Sequence, residues 1–194
     1  STGWLGQMSE ITMPTDRRGD DDPAIALVSN ILDAAGQPIG ALGDGDMWFH
    51  HDNSFTAEPD KATFLYAVEL PSHGGNTLFG NSYLAYEALP DRLRHQIEGR
   101  HVLQVYDYTV REKPDLDNLG SVPHHWQPAV VKHPVTGKSA LYVDRLMSAA
   151  IEGLSRKDSD ALLEDIFPYM ERADYEHTWR LGDFIIWDNR SVMH

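Results

Sequence analysis

The sequence contains no cysteine among its 194 residues. Disulfide bonds, zinc–thiolate sites and thiol nucleophiles are therefore excluded. It also lacks an apolar run long enough to span a membrane, and its first residues, Ser-Thr-Gly-Trp, do not have the pattern of a signal peptide. From these absences we expect a soluble, cytoplasmic protein.

Positive charge is scarce. Sixteen Lys and Arg residues stand against 30 Asp and Glu residues, which gives a formal net charge of −14 and a pI of about 4.9. Such an acidic surface repels nucleic-acid phosphates and anionic membranes, so neither is an expected partner. A small-molecule substrate is the remaining expectation.

The length suits one domain with a sizeable core, and five Trp, eight Tyr and six Phe residues supply bulky apolar side chains for it. The pattern predicts many short strands and few helices, which favours a mainly β fold, an antiparallel sandwich or barrel with α insertions. Strands are expected over residues 24–32, 64–70, 76–79, 101–110, 129–133, 139–143, 175–180 and 184–187.

Three helices are expected, over residues 81–88, 90–97 and 155–171. Asn81 is a good N-cap for the first, and Ser155 with Asp158 resembles a capping box for the third. A hairpin is predicted at 134–137. The run of residues 124–126, His-His-Trp, is interpreted as a Pro-bounded loop, either at a substrate entrance or simply exposed.

One short segment has the residue types of a metal site. If residues 49–55 form a strand, His50 and Asp52 project from the same face while His51 points outward. An imidazole and a carboxylate make half of a site for a divalent ion, and a third ligand would complete the facial arrangement of non-haem Fe(II) oxygenases. Alone, His-x-Asp is a weak signal, and a structural role for the pair is the more common explanation.

Three motifs together resemble a known family. They are Trp-Phe-His-His-Asp-Asn-Ser-Phe at 48–55, Gly-Gly-Asn-Thr-Leu-Phe at 74–79, and Gly-Asp-Phe-Ile-Ile-Trp-Asp-Asn-Arg-Ser-Val-Met-His at 182–194. In this order they resemble the taurine and 2,4-dichlorophenoxyacetate dioxygenases, which depend on Fe(II) and 2-oxoglutarate. The resemblance covers roughly residues 24–194.

The resemblance implies a double-stranded β-helix, the jelly roll of cupin-like proteins. It implies that His50, Asp52 and His194 bind iron and that Thr77 hydrogen-bonds the distal carboxylate of 2-oxoglutarate. A hydroxyl suits that partner, because ionised acceptors make the stronger hydrogen bonds. No catalytic residue beyond the metal ligands is expected, and relatives of this kind are commonly dimers or tetramers.

Family members carry an Arg beyond the distal His that pairs with 2-oxoglutarate, and this sequence ends at His194. We therefore expect residues 1–194 to be one catalytic domain from which a part after His194, and some internal loops, are missing. Arg190 is not expected to replace that Arg, because it has carboxylates close by at Asp188 and Asp183.

Candidate substrate contacts are Asp46 and Trp48, just before the first ligand, and the cations Arg111 and Lys113. Arg145 is a further cation that could receive an anionic substrate, although a surface charge is the simpler account. The resemblance implies oxidation of an unactivated C–H bond in a small anionic molecule, by hydroxylation, with release of succinate and CO2. Desaturation, cyclisation and a catalytically silent binding jelly roll are the alternatives, whereas the carboxylate of Asp52 argues against halogenation.

Overall fold

The computed structural model describes residues 27–37, 39–40, 47–106 and 115–194. The chain divides into two units, Ser1–Met47 and Trp48–His194. In the first, the Asp33 carboxylate accepts hydrogen bonds from the backbone N–H groups of Ala35 and Gln37, both at 2.8 Å, and so closes a turn. The strand predicted over 24–32 is not formed in its described part, where only Val28 and Leu32 make single bridges.

The described part of the second unit is mainly β with few helices, as predicted. Its strands are β1 (Ala62–Tyr66), β2 (Thr77–Asn81), β3 (His101–Val105), β4 (His124–Pro128), β5 (Val130–Lys132), β6 (Ser139–Leu141), β7 (Ser148–Ile151), β8 (Tyr175–His177), β9 (Phe184–Asp188) and β10 (Val192–Met193). Its helices are α1 (Ser82–Ala88), α2 (Asp91–Ile97) and α3 (Arg156–Met170).

The strands form small antiparallel sheets that join distant parts of the chain. The pairings are β1 with β9, β2 with both β10 and β8, β3 with both β4 and β7, and β5 with β6. Within the described residues, β1 and β2 therefore pair with strands that come late in the sequence, β8, β9 and β10. His194, which follows β10, is brought beside His50 near the start of the unit.

The hairpin predicted at residues 134–137 is confirmed, since β5 and β6 pair across it. The loop predicted for residues 124–126 is wrong: they lie in β4, which pairs along its whole length with β3. The strands predicted at 175–180 and 184–187 are present as β8 and β9, but they belong to different sheets.

The helices begin where the capping signals predict. The Asn81 side chain accepts from the N–H groups of Tyr83 and Leu84, and the Ser155 hydroxyl accepts from the Asp158 N–H. The apolar face of α3 packs into the main core, as predicted, through Leu162, Leu163, Ile166, Phe167 and Met170. Within the described part of the chain, none of the helices combines the length and the apolar character needed to cross a bilayer.

Candidate metal centre

Two histidines from opposite ends of the second unit face each other across a backbone pair. The His50 N–H donates to the His194 carbonyl at 3.0 Å, and the His194 N–H donates to the His50 carbonyl at 3.2 Å. Residues that exchange both hydrogen bonds are directly opposite and project their side chains to the same face. The two imidazole centroids are consequently only 4.5 Å apart.

β10 packs closely on β2 at Met193, the residue directly before His194. A Cβ atom on Gly80 of β2 would lie 2.7 Å from the Met193 methyl carbon, nearer than side-chain atoms approach. Only glycine leaves room for Met193 there without a shift. Gly80 thus permits the register that ends at His194.

Asp52 lies beside the two histidines, but it is not in the strand predicted over residues 49–55. Residues 49–51 do not belong to a strand, and Asp52 begins a turn. Its backbone is clamped by the fully buried Asn189, whose Oδ1 accepts from the Asp52 N–H at 2.9 Å. The Asn189 amide donates in return to the carbonyls of Asp52, at 2.7 Å, and Asp60, at 3.0 Å.

The three side chains converge on one point. Oδ1 of Asp52 lies 3.4 Å from Nε2 of His50 and 4.0 Å from Nε2 of His194. One ligand atom from each residue lies within 4.8 Å of the other two. Neighbouring ligands about 2.1 Å from an ion at right angles would be about 3 Å apart, so an ion would draw these atoms slightly together.

Hydrogen bonds leave the metal-facing atoms available. His50 Nδ1 lies 2.9 Å from the Trp48 carbonyl, which can only accept, so Nδ1 carries a proton and Nε2 is the nitrogen that faces Asp52. The Thr63 hydroxyl donates to Asp52 Oδ2 at 2.7 Å, on the oxygen away from the histidines. Two imidazoles and one carboxylate oxygen therefore fit a divalent ion such as Fe(II).

The electrostatics of the site favour the metal-binding forms of Asp52 and His194. Burial raises the pKa of Asp52, but the charges and hydrogen bonds of His194, His50 and Thr63 outweigh it and hold that pKa well below its usual range. Burial lowers the pKa of His194 to about 4 against the opposing effect of Asp52. Burial lowers the pKa of His50, but the hydrogen bond and charge of Asp52 outweigh burial and raise it, so a metal ion at His50 would compete with a proton. At neutral pH, Asp52 is ionised and His194 is neutral.

His51 does not point outward, and that prediction is wrong. It is fully buried, with Nε2 3.0 Å from the Ser82 hydroxyl and its ring 4.4 Å from that of Tyr142. Its Nδ1 lies 3.7 Å from the carboxylate of Asp144, which is also fully buried. His51 thus anchors the ligand segment to the interior.

Comparison with known proteins identifies the family. The profile of the group described as "Taurine catabolism dioxygenase TauD, TfdA family" matches residues 5–194. The chain belongs to this family.

Individual relatives agree with this assignment. Pentalenolactone F synthase of Streptomyces avermitilis is 35% identical over 195 aligned positions, covering 90% of this chain and 63% of the relative. The alpha-ketoglutarate-dependent 2,4-dichlorophenoxyacetate dioxygenase of Cupriavidus pinatubonensis is 31% identical over 160 positions, covering 76% of this chain and 53% of the relative. The crystal structure of AAD-2 with Mn(II) and N-oxalylglycine has a TM-score of 0.67 at 28% identity, covering 75% of this chain and 60% of that one. The chain thus spans less than two thirds of the length of each.

Thr77 is the residue expected from the TauD/TfdA resemblance to contact 2-oxoglutarate. It is the first residue of β2, and its hydroxyl oxygen accepts from the Trp179 indole N–H at 3.0 Å. The candidate substrate contacts Asp46, Arg111 and Lys113 lie outside the described residues. Trp48 is 46% exposed, and the Arg145 guanidinium lies 5.3 Å from its ring centroid.

Both cations that were weighed against structural roles have carboxylate partners. Arg145 pairs with Glu164 at 3.1 Å and also with Glu171. Arg190 binds both oxygens of Asp188, at 2.8 and 2.6 Å, which confirms the local pairing expected of it.

Two residues that position Asp52 were missed by the sequence reasoning. Asn189 stands in the most specific motif of the chain, two residues after Trp187, so its place in that block was an available signal. Thr63 gave no signal, because a single threonine just before the strand predicted over residues 64–70 has no distinctive pattern. Only the pairing of β1 with β9 shows that Thr63 lies opposite Trp187 and near the ligand segment.

Proposed function

We propose that this protein is an Fe(II)- and 2-oxoglutarate-dependent dioxygenase that hydroxylates an unactivated C–H bond of a small anionic substrate, with release of succinate and CO2. The observation that carries the proposal is the convergence of His50, Asp52 and His194, with one ligand atom from each within 4.8 Å of the others. Membership of the TauD/TfdA family supports it.

The proposal includes one catalytic domain with a jelly-roll fold. Supporting it are the short antiparallel strands of the second unit and the likeness to the AAD-2 structure. Dimers or tetramers stay a prediction. We also propose that an Arg beyond His194 in the whole gene product pairs with 2-oxoglutarate.

Each residue has a defined task in this scheme. His50, Asp52 and His194 would hold Fe(II) from one side and leave the other side for 2-oxoglutarate, O2 and substrate. The bound metal and its co-substrates supply the oxidising chemistry, while the protein orients the target carbon. Asn189 and Thr63 keep Asp52 in its ligating position through the backbone and the second carboxylate oxygen. Asp52 itself occupies the position that a halide would need for halogenation.

A second candidate function keeps the same iron site but ends in desaturation, cyclisation or another biosynthetic oxidation. The relative that favours it is named as a synthase, Pentalenolactone F synthase, and is 35% identical over 90% of this chain. The outcome in such a site depends on how the substrate is posed. A catalytically silent metal-binding protein is the third alternative.

Succinate production from 2-oxoglutarate tests the proposal. The whole gene product should form succinate only when Fe(II) and O2 are both supplied, and faster with a true substrate from a panel of sulfonates, aryloxy acids and amino-acid derivatives. Mass analysis of the product separates a gain of oxygen from a loss of two hydrogens. A protein that binds Fe(II) and 2-oxoglutarate yet forms no succinate with any of them would support the silent alternative.

A further inference from the structure

The Thr77 hydroxyl has one of its hydrogen-bonding roles fixed by a neighbour. The Trp179 indole N–H lies 3.0 Å from Thr77 Oγ1. An indole nitrogen can only donate, so the threonine oxygen must be the acceptor. The hydroxyl proton of Thr77 is therefore left to be donated to another group.

The direction in which Thr77 projects is set by β2. Side chains two residues apart in a strand share a face, so Thr77 lies on the same face as Phe79. The Phe79 ring is 6.2 Å from that of His194 and 5.4 Å from that of Trp187. Leu78, on the opposite face, is exposed. Thr77 therefore faces the side of the sheet on which the candidate metal ligand His194 packs.

Trp179 is itself held in place from the next strand. His177 is the register partner of Thr77 in β8, and its ring meets the Trp179 ring edge-on at 4.6 Å. Nε2 of His177 lies 3.0 Å from the Asp183 carboxylate, and Nδ1 lies 3.1 Å from the Tyr175 hydroxyl. With both ring nitrogens engaged, His177 provides a fixed surface for the indole.

We propose that Trp179 is a positioning residue for the co-substrate, whose indole N–H directs the Thr77 hydroxyl to donate to the distal carboxylate of 2-oxoglutarate. This inference rests on the proposed function and adds a residue to it. A hydroxyl that is already oriented to donate to the carboxylate lowers the entropic cost of binding, because it need not be reoriented when the ligand arrives. Trp179 would thus act on 2-oxoglutarate affinity and leave metal binding unchanged.

Binding of 2-oxoglutarate to the Mn(II)-loaded whole gene product, measured by calorimetry without oxygen, tests this role. Trp179→Phe keeps an aromatic ring and removes the N–H donor. We expect it to weaken 2-oxoglutarate binding about five- to tenfold, the scale of one hydrogen bond. Mn(II) affinity should stay at the wild-type value. Trp126→Phe makes the same substitution on the exposed face of β4 and should leave both affinities unchanged.

A double-variant cycle separates positioning from a general structural effect. If Trp179 acts through the Thr77 hydroxyl, Trp179→Phe should add nothing in a Thr77→Val background, so the two losses are not additive. Additive losses, or a Trp179→Phe protein that binds 2-oxoglutarate as the wild type does, would overturn the inference. Should Trp179→Phe fail to fold, Trp179→Met, which also lacks an N–H or O–H donor, carries the same expectation. A wild-type protein that binds Mn(II) but no 2-oxoglutarate would overturn the proposed function and this inference together.

Discussion

Asp52 is held in position by two side chains, one 11 residues and the other 137 residues away in the sequence. Thr63 binds its second oxygen, and the buried Asn189 binds the backbone N–H and C=O of the same residue. Outer partners of this kind keep a ligand in position before the metal arrives. The geometry of the candidate centre thus depends on the motif that contains Asn189 as much as on the ligands.

Asn189→Ala should weaken both metal binding and folding. It removes three hydrogen bonds that the buried Asn189 side chain makes to backbone groups of Asp52 and Asp60, which should lower the free energy of unfolding by about 2–4 kcal/mol. Metal affinity should fall by about 10-fold or more because Asp52 is no longer held. Urea unfolding and anaerobic Fe(II) titration check this. The exposed Asn118→Ala is the matched control, and a Fe(II) affinity equal to that of the control would contradict the role of Asn189.

The residue types of the site were predictable from sequence, but the way they are held was not. Strand alternation grouped His50 with Asp52 and set His51 apart, although residues 49–51 are not in a strand and Asp52 begins a turn. It could not say which face is buried, and His51 proved to be completely enclosed. The backbone pair between His50 and His194 joins residues from distant parts of the chain, and no local pattern encodes it.

At the scale of elements, α3 shows how a helix is joined to the sheets. The fully buried hydroxyl of Ser159 accepts the Ile151 N–H of β7 at 2.6 Å. The apolar face of α3 packs into the same core as Ile151. This single polar contact satisfies an N–H that the core would otherwise leave unpaired.

Ser159→Ala should lower the free energy of unfolding by about 1–3 kcal/mol, because the buried Ile151 N–H loses its acceptor. Chemical denaturation measures the change. Ser121→Ala, on an exposed residue, should alter stability by less than about 0.5 kcal/mol. Equal effects of the two substitutions would show that the Ser159 contact contributes nothing measurable.

Helices were predicted better than strands, for a physical reason. Capping residues and the spacing of apolar side chains are local signals, and they located α1, α2 and α3 closely. β7 consists of Ser-Ala-Ala-Ile and β10 has only two residues, so neither carries an alternating pattern. β4 was mistaken for a loop because flanking prolines and polar residues hide a strand whose pairing with β3 defines it.

At the scale of the whole molecule, a hydrogen bond joins the last residue of β9, Asp188, to the earlier β5–β6 hairpin. The Asp188 carboxylate receives both Arg190 and, at 2.9 Å, Nε2 of His133 from the β5–β6 hairpin. Burial raises the pKa of Asp188, but the bonds from Arg190 and His133 outweigh burial and lower it from 3.8 to about 2. The ionisation of Asp188 therefore makes the stability of the folded protein depend on pH in the acid range.

The sign of that link gives a testable pH dependence. A carboxyl whose pKa is lower in the folded state stabilises the protein above about pH 4 and loses that contribution as the pH falls toward about 2. The stability difference between the wild type and Asp188→Asn should be largest above pH 4 and shrink toward pH 2. Urea midpoints at a series of pH values measure it. A difference that stays constant down to pH 2 would contradict the assignment.

The most direct test of the central claim is anaerobic Fe(II) binding to the whole gene product, compared with its His194→Ala and His101→Ala variants. The account predicts one ion bound per chain in the wild type. It predicts that His194→Ala loses more than the 10- to 100-fold that removal of an outer partner costs. His101→Ala, at an exposed His–Glu pair, should bind as the wild type does. Undiminished Fe(II) binding by His194→Ala would contradict the assignment of His50, Asp52 and His194 as the metal centre.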